Sequence, residues 1–294
     1  MTQASANTPT AGPDQRITGL HPLALIACYV VLALVPLILS ALQPGPAGNF
    51  WRELSSGLVM VGFAALNAWG IGQFSEASRN DPQAAAAFAA QGADLTAGIP
   101  TSGIAFAQLI IGSLAVLLMS SEFTTGMARS TFTAVPKRTP AFVAKLLVVT
   151  ACAFVVTVVS SLLAYLAATP ILDNYGFDID LGSEHSRRLL LVSGLYVAAV
   201  AAIGMSLGTL LRNSAGGIMS LVGLFFVVPI AFQLIPGEFF EEARKYLPDS
   251  LFERIVTAAP AEDALEVWQA WTWLGAWVVV PVAAAMIVLK KRDV

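Results

Sequence analysis

The chain has 294 residues, of which 56% are hydrophobic and only 12% charged, with a mean hydropathy of +0.73. Soluble domains carry about a quarter of their residues as charges, so these proportions exclude an ordinary soluble protein and place the chain in a bilayer. The net charge of -3 decides little, because the charges are segregated along the chain; no extended basic patch occurs, which excludes a nucleic-acid binder.

The first 20 residues open with MTQASANTPTAGPDQ and are rich in Ser, Thr, Pro, Ala and Gly. They carry almost no apolar periodicity and are expected to be a disordered tail. They do not form a signal peptide: the apolar run that follows is too long for a signal h-region, and Arg16 is the one basic residue before it.

Seven apolar runs follow, at 21–42, 55–74, 101–119, 141–169, 189–211, 215–235 and 271–289. As helices, runs of this length cross about 30 Å of hydrocarbon. The second is the weakest, because Asn67, Gln73 and several glycines interrupt it. The short alternating segments of a membrane barrel are lacking. The expected fold is therefore all-α, a polytopic bundle of six or seven spans over residues 21–294. The two cysteines, Cys28 and Cys152, lie inside apolar runs and are spaced for neither a metal site nor a disulfide framework; they are expected to be small packing or lipid-facing residues.

Between the third and fourth runs lies the segment 120–140, with Glu122 at its start, Gly126 and Pro136 as punctuation, and Arg129, Lys137 and Arg138 giving it positive charge, with Lys145 just beyond. By the positive-inside rule this segment faces the cytoplasm. Even numbers of crossings then bring Arg212 and the terminal Lys290, Lys291 and Arg292 to the same side. The segments 75–100, 170–188 and 236–268 fall outside and hold most of the acidic residues. Arg187 and Arg188 oppose the rule there, and Asp178, Asp180 and Glu184 are available to pair with them. Seven crossings put the tail outside, six put it inside.

A carboxylate at the end of a span is costly unless solvated or paired. Glu122 and Arg129, seven residues apart, lie two helical turns apart on roughly one face. Two readings stay open: the pair sets the angle of a short loop helix, or Glu122 is a solvated helix-end carboxylate with a cation nearby. Pro136 cannot continue a helix without losing a hydrogen bond, so the segment is expected to form a short helix, a turn and a new span. Lys137 and Arg138 suit a protein partner or anionic lipid, the latter contributing about 1 kcal/mol per charge.

Within 236–268, FFEEARKYL and SLFERIVTA place apolar residues at helical spacing beside acidic ones, which predicts amphipathic helices at the outer interface. Trp268, Trp271, Trp273 and Trp277 are expected to form an aromatic belt. Gly204, Gly208, Gly216 and Gly217 would let helices approach closely, and Pro229 and Pro281 would kink their spans. Asn67, Gln73 and Gln108 are the notable polar groups within the runs; polar side chains at depth either line a pathway or bond to neighbouring helices.

The spacing Glu122, Phe123, Gly126, Arg129, Pro136, Arg138, Lys145 resembles the first cytoplasmic loop of ABC-2-type permeases, the membrane subunits of one class of ATP-driven transporters, especially those of high-GC Gram-positive bacteria. The resemblance covers roughly residues 67–294 and includes LGTLLRNSAGGIMSLVGLFFVVP, KYLP and the terminal LKKRDV. It implies that Glu122, Gly126, Arg129, Pro136, Lys137 and Arg138 belong to a coupling helix seated on a separate ATPase subunit. It also implies re-entrant helices before the last span, two ATPase copies, a second permease copy, a bacterial plasma membrane and export. Those permeases open with a basic, tryptophan-containing cytoplasmic helix; here that position reads NFWRELSSG, preceded by an additional hydrophobic run.

Residues 21–65 have a weaker similarity to the opening of ferric-reductase-like membrane proteins. Haem binding in such a bundle needs axial histidines from facing helices, whereas His21 and His185 both lie at membrane edges, so no cofactor is expected. The sequence also lacks a G-x-x-x-x-G-K-[ST] phosphate loop and any catalytic constellation. The motor is therefore expected on another chain, and this chain is expected not to be an enzyme. The alternative reading is a non-transporting membrane protein, either a haem-less relative of the ferric reductases or an anchoring subunit.

Overall fold

A computed structural model describes residues 46–78, 98–124, 138–177, 181–257 and 264–291. Among them every regular element is helical: α1 (Pro46–Ser78), a 3-10 turn (Ile99–Thr101), α2 (Ile104–Thr124), α3 (Arg138–Asp173), α4 (Glu184–Leu211), α5 (Ser214–Val222), a π turn (Gly223–Val227), α6 (Val228–Leu234), α7 (Glu238–Arg244), α8 (Pro248–Thr257) and α9 (Val267–Lys291). An apolar run in lipid must satisfy its backbone internally, which a helix does within one segment.

Five helices among the described residues are long and apolar enough to cross a membrane: Ile99–Thr124, Thr139–Asp173, Glu184–Leu211, Ser214–Leu234 and Val267–Lys291. The fourth is composite, with α5, the π turn and α6 continuing one another. The expected run 55–74 lies inside α1, whose apolar part, Gly57–Gln73, is shorter than these five. The run 21–42 and the tail lie outside the described residues. Helix α3 continues to Asp173, past the expected end at 169; Pro170 is accommodated in its last turn, and the Asn174 amide donates to the Pro170 carbonyl at 2.8 Å.

Helix directions follow from who touches whom. A Cβ on Gly204 would stand 2.4 Å from the Gly112 carbonyl oxygen, and one on Gly208 would stand 2.5 Å from that of Val116. The contacts advance together, so α2 and α4 run parallel. Lys145 meets Glu122, which makes α3 antiparallel to α2. Gly57 faces Ser160 and Gly72 faces the Tyr175 ring, so α1 runs parallel to α3. The ends at Thr124, Arg138, Leu211 and Ser214 therefore share one end of the bundle, called here the basic end.

Glycines at 204 and 208 let two backbones come within reach of each other, where dispersion and weak C–H contacts replace the hydrophobic drive that lipid cannot supply. Gly217 of α5 packs on α2 in the same way, 2.4 Å from Val116 Cγ1 for an added Cβ, whereas Gly216 is open apart from Asn213. Helix α4 is consequently the most enclosed span. Tyr196, Val197, Val200 and Met205 are fully buried, in a core shared with Met119, Leu221, Leu251, Ile255 and Leu289. A second, smaller core joins α1 and α3 through Ala64, Ala68, Ala164, Ala168 and Leu172. The outward faces are apolar: Leu147, Val148, Val155, Leu163 and Leu166 of α3 are exposed, as are Val279, Val280 and Ile287 of α9, in keeping with a lipid solvent. Cys152 is exposed beside them on α3.

Several buried hydroxyls of α4 are satisfied locally. Ser193, Ser206 and Thr209 donate to the carbonyls of Leu189, Ala202 and Met205 four residues back, at 2.5–2.9 Å, as a helix in lipid requires. The Asn67 amide does the same with the Phe63 carbonyl, while the Gln73 amide donates across to the Tyr175 hydroxyl at 3.0 Å. At the end opposite the basic one, α7 lies against α6, where Phe240 meets Phe232 edge-on, and α8 lies against α9. Leu251, Ile255 and Val256 form the buried face of α8, and the Arg254 Nε–H donates to the Leu265 carbonyl. The Trp277 indole donates to the Tyr246 carbonyl at 2.8 Å. Trp268, Trp271 and Trp273 are exposed.

Candidate functional site

Two helix ends and one corner meet at the basic end. In the last turn of α2, the Glu122 side chain is 14% exposed; a carboxylate this enclosed is costly without a partner. Lys145, in the second turn of α3, supplies one: its ammonium donates to the two carboxylate oxygens at 2.5 and 2.6 Å, with its own side chain 32% exposed. Charge-assisted pairs of this geometry are among the stronger hydrogen bonds. The pair joins the helices on either side of residues 125–137.

The corner between α4 and α5 closes on the same turn of α2. Helix α4 stops at Arg212, which adopts a left-handed backbone (φ 51) and donates its N–H to the Gly208 carbonyl at 3.1 Å. That is the usual end of a helix, with arginine where glycine is commoner. Asn213 then starts α5 as its N-cap, its side-chain oxygen accepting from the Gly216 N–H at 3.0 Å. The Arg212 guanidinium lies 4.8 Å from the centre of the Phe123 ring, a cation–π arrangement. Ser214 shares a 2.7 Å hydrogen bond with Ser120. The turn Ser120–Phe123 thus touches α3 through Glu122 and the α4–α5 corner through Ser120 and Phe123. A displacement of this turn would be felt by three spans together.

Of the residues singled out by sequence, Glu122 stands at the centre of this cluster, and Arg138 is the first residue of α3. Gly126, Arg129, Pro136 and Lys137 lie outside the described residues. Spacing within one helix points from Glu122 to Arg129; within the described residues the partner of Glu122 is Lys145. Ser120, Ser214 and the ring contact of Arg212 were not anticipated. One signal for Lys145 existed: it is the single charge in the run 141–169, and two antiparallel helices joined by a short connection bring residues flanking the connection side by side. At the opposite end, Arg188 pairs with Glu184 at 3.6 Å, one of the acids expected for it, and His185 is exposed. Among the described residues no group of three His, Cys, Asp or Glu side chains could hold a metal ion.

The cluster is built from residues inside a recognised family region. A comparison of the sequence with curated proteins finds no match. Residues 84–287 match the family described as ABC-2 family transporter protein; this region holds α2 to α8 and most of α9, and residues 21–65 precede it. An all-helical bundle with several membrane-crossing helices and a match over most of its length together place this chain in the ABC-2 transporter family, as a multi-pass membrane permease component.

Proposed function

We propose that this chain is the exporting permease of a bacterial plasma-membrane transporter, working as a pair with itself or a similar permease and driven by two copies of a separate ATP-binding subunit. The basic end faces the cytoplasm, and residues 120–140 dock on that subunit through Gly126, Arg129, Pro136, Lys137 and Arg138. The cargo is hydrophobic or amphipathic, consistent with a helix bundle whose outer faces are in lipid. The observation that carries the reading is the Glu122–Lys145 pair, which ties together the two spans flanking the docking segment.

Through that tie, closure of the motor domains moves α2 and α3 as a unit, and the Ser120–Ser214 and Phe123–Arg212 contacts pass the movement to α4 and α5. Alternating access follows if the two arrangements of these helices bind the motor differently, since a ligand shifts an equilibrium only by its differential affinity. The test is to purify the chain with its co-expressed ATP-binding subunit and measure hydrolysis with wild type and Glu122→Ala. The reading expects the subunits to co-purify and the variant to lose coupled turnover; a chain that never holds an ATP-binding subunit contradicts it.

A further inference from the structure

At the end of the bundle opposite Glu122, the first turns of α2, the middle of α4, the π turn, α6 and the short helices α7 and α8 line an open cavity of about 340 Å³. That volume lies at the lower end of the range of ligand pockets, about 300–1,000 Å³. Its formation traces to the sequence. Pro229 has no N–H to offer the carbonyl of Phe225, and the ladder widens at this point into the π turn Gly223–Val227. The widened turn carries Phe225 and Phe226, which with Phe252 of α8 form the aromatic wall.

The polar lining holds unpaired polar atoms. Gln108 is 4% exposed and Tyr196 is 2% exposed. The Gln108 side-chain oxygen, the Tyr196 hydroxyl and one carboxylate oxygen of Asp249 are buried without a hydrogen-bond partner among the described residues. A buried polar atom left unpaired costs about 1–3 kcal/mol, and three of them on one cavity are too many to be incidental. Glu253 adds a second carboxyl, and Arg244 and Gln233 stand where this cavity adjoins another of about 430 Å³. Burial, then the Asp249 charge, raises the Glu253 carboxyl above its ordinary range, with Arg244 opposing. The lining thus carries two carboxyls and one guanidinium, with the Tyr196 hydroxyl and the Gln108 and Gln233 amides able to accept as well as donate. Tyr196 packs tilted on Phe252 at 4.8 Å and meets Phe225 edge-on at 6.5 Å, so aromatic rings, whose faces attract cations, line the same space.

We propose that this cavity binds an amphipathic organic cation with N–H donors, a protonated amine on an apolar or aromatic body. Asp249, Gln108 and Tyr196 accept its hydrogen bonds, and Phe225, Phe226 and Phe252 enclose its body. As the class of transported cargo this rests on the permease reading; as a binding site it stands on the chain alone.

The test uses the full chain in phosphatidylcholine nanodiscs, without an ATP-binding subunit, and equilibrium dialysis of radiolabelled 1-naphthylmethylamine. The isosteres 1-naphthylmethanol and 1-naphthoate serve as neutral and anionic controls, and empty nanodiscs give the lipid background. The amine should bind about tenfold more tightly than the alcohol, as a charge-assisted hydrogen bond implies, and the naphthoate least. Asp249→Asn should bring the amine down to the alcohol's affinity. Tyr196→Phe, which preserves shape, and Gln108→Leu should each weaken the amine about threefold or more while leaving the alcohol unchanged. Equal binding of amine and alcohol to the wild type, or undiminished amine binding in Asp249→Asn and Tyr196→Phe, overturns the proposal. Either result leaves subunit association untouched. Conversely, selective amine binding by a chain that never holds an ATP-binding subunit would sink only the permease reading.

Discussion

The Lys145 ammonium straddles the Glu122 carboxylate, 2.5 Å from one oxygen and 2.6 Å from the other, so the end of α2 and the beginning of α3 behave as one piece. Removing either partner leaves the other partly enclosed without its counter-charge. In a double-mutant cycle of Glu122→Ala and Lys145→Ala, read by thermal unfolding in nanodiscs, each single change should cost about 1–2 kcal/mol, and the double change should cost clearly less than their sum. Strict additivity would mean that the two side chains do not stabilise one another.

The α2–α4 contact makes a sharper demand. At Gly204 and Gly208 the obstacle to a Cβ is backbone carbonyl at 2.4 and 2.5 Å, and backbone cannot rotate away as a side chain can. Gly204→Val and Gly208→Val should each destabilise by about 1–3 kcal/mol through overpacking and push α2 away from α4. Gly216→Ala, where only the Asn213 side chain is near, should be neutral or gain about 0.5–1 kcal/mol of helix stability. Denaturation midpoints of the three variants check the contrast.

Ser120 and Ser214 share one hydrogen bond across the α2–α5 corner. Ser120→Ala should cost about 1 kcal/mol, and adding Ser214→Ala should cost little more, since the interaction is already gone. A larger loss on the second substitution would mean that Ser214 serves another partner.

The Glu253 carboxyl faces Asp249 on its own helix, Arg244 on α7 and the Tyr196 hydroxyl on α4. Glu253 is exposed at the mouth of the cavity, yet surrounding protein displaces much of the water from its carboxyl, and the effect is correspondingly small. Its folded value lies above the ordinary 4.5. The group's contribution to stability is therefore fully present below that ordinary value and is lost as pH rises through the raised one. Glu253→Gln, which stays neutral, should match the wild type at the acid end and unfold at a slightly higher temperature than wild type near neutrality. Melting curves taken across that range read the crossover; a variant less stable near neutrality has the opposite sign.

Long apolar runs made the all-helical bundle legible, and the G-x-x-x-G spacing of Gly204 and Gly208 marked the close approach that the structure shows. What the sequence concealed depends on partners distant along the chain. Spacing within one helix points from Glu122 to Arg129, whereas the Lys145 contact needs the antiparallel turn to be known first. Asn49, Arg52 and Glu53 break the apolar pattern ahead of residue 55, so the extension of α1 back to Pro46 had no hydropathy signal. The π turn had none either, because one widened turn leaves periodicity almost unchanged; Pro229 suggested a kink. Tyr196 reads as packing in an apolar run, and its unpaired hydroxyl becomes visible only when Gln108 and Asp249 are placed beside it.

The account stands or falls on what the segment between α2 and α3 touches. The most direct measurement places a photo-crosslinking amino acid at Thr131 in cells that express the whole transporter, with 8-azido-ATP labelling of the crosslinked product. A crosslink from Thr131 to a chain that itself takes the ATP label is the expected result. A Thr131 position that reacts only with reagents added outside the cell, or that crosslinks only to lipid while the ATP-labelled chain stays free, would contradict the docking of this end of the bundle on a motor.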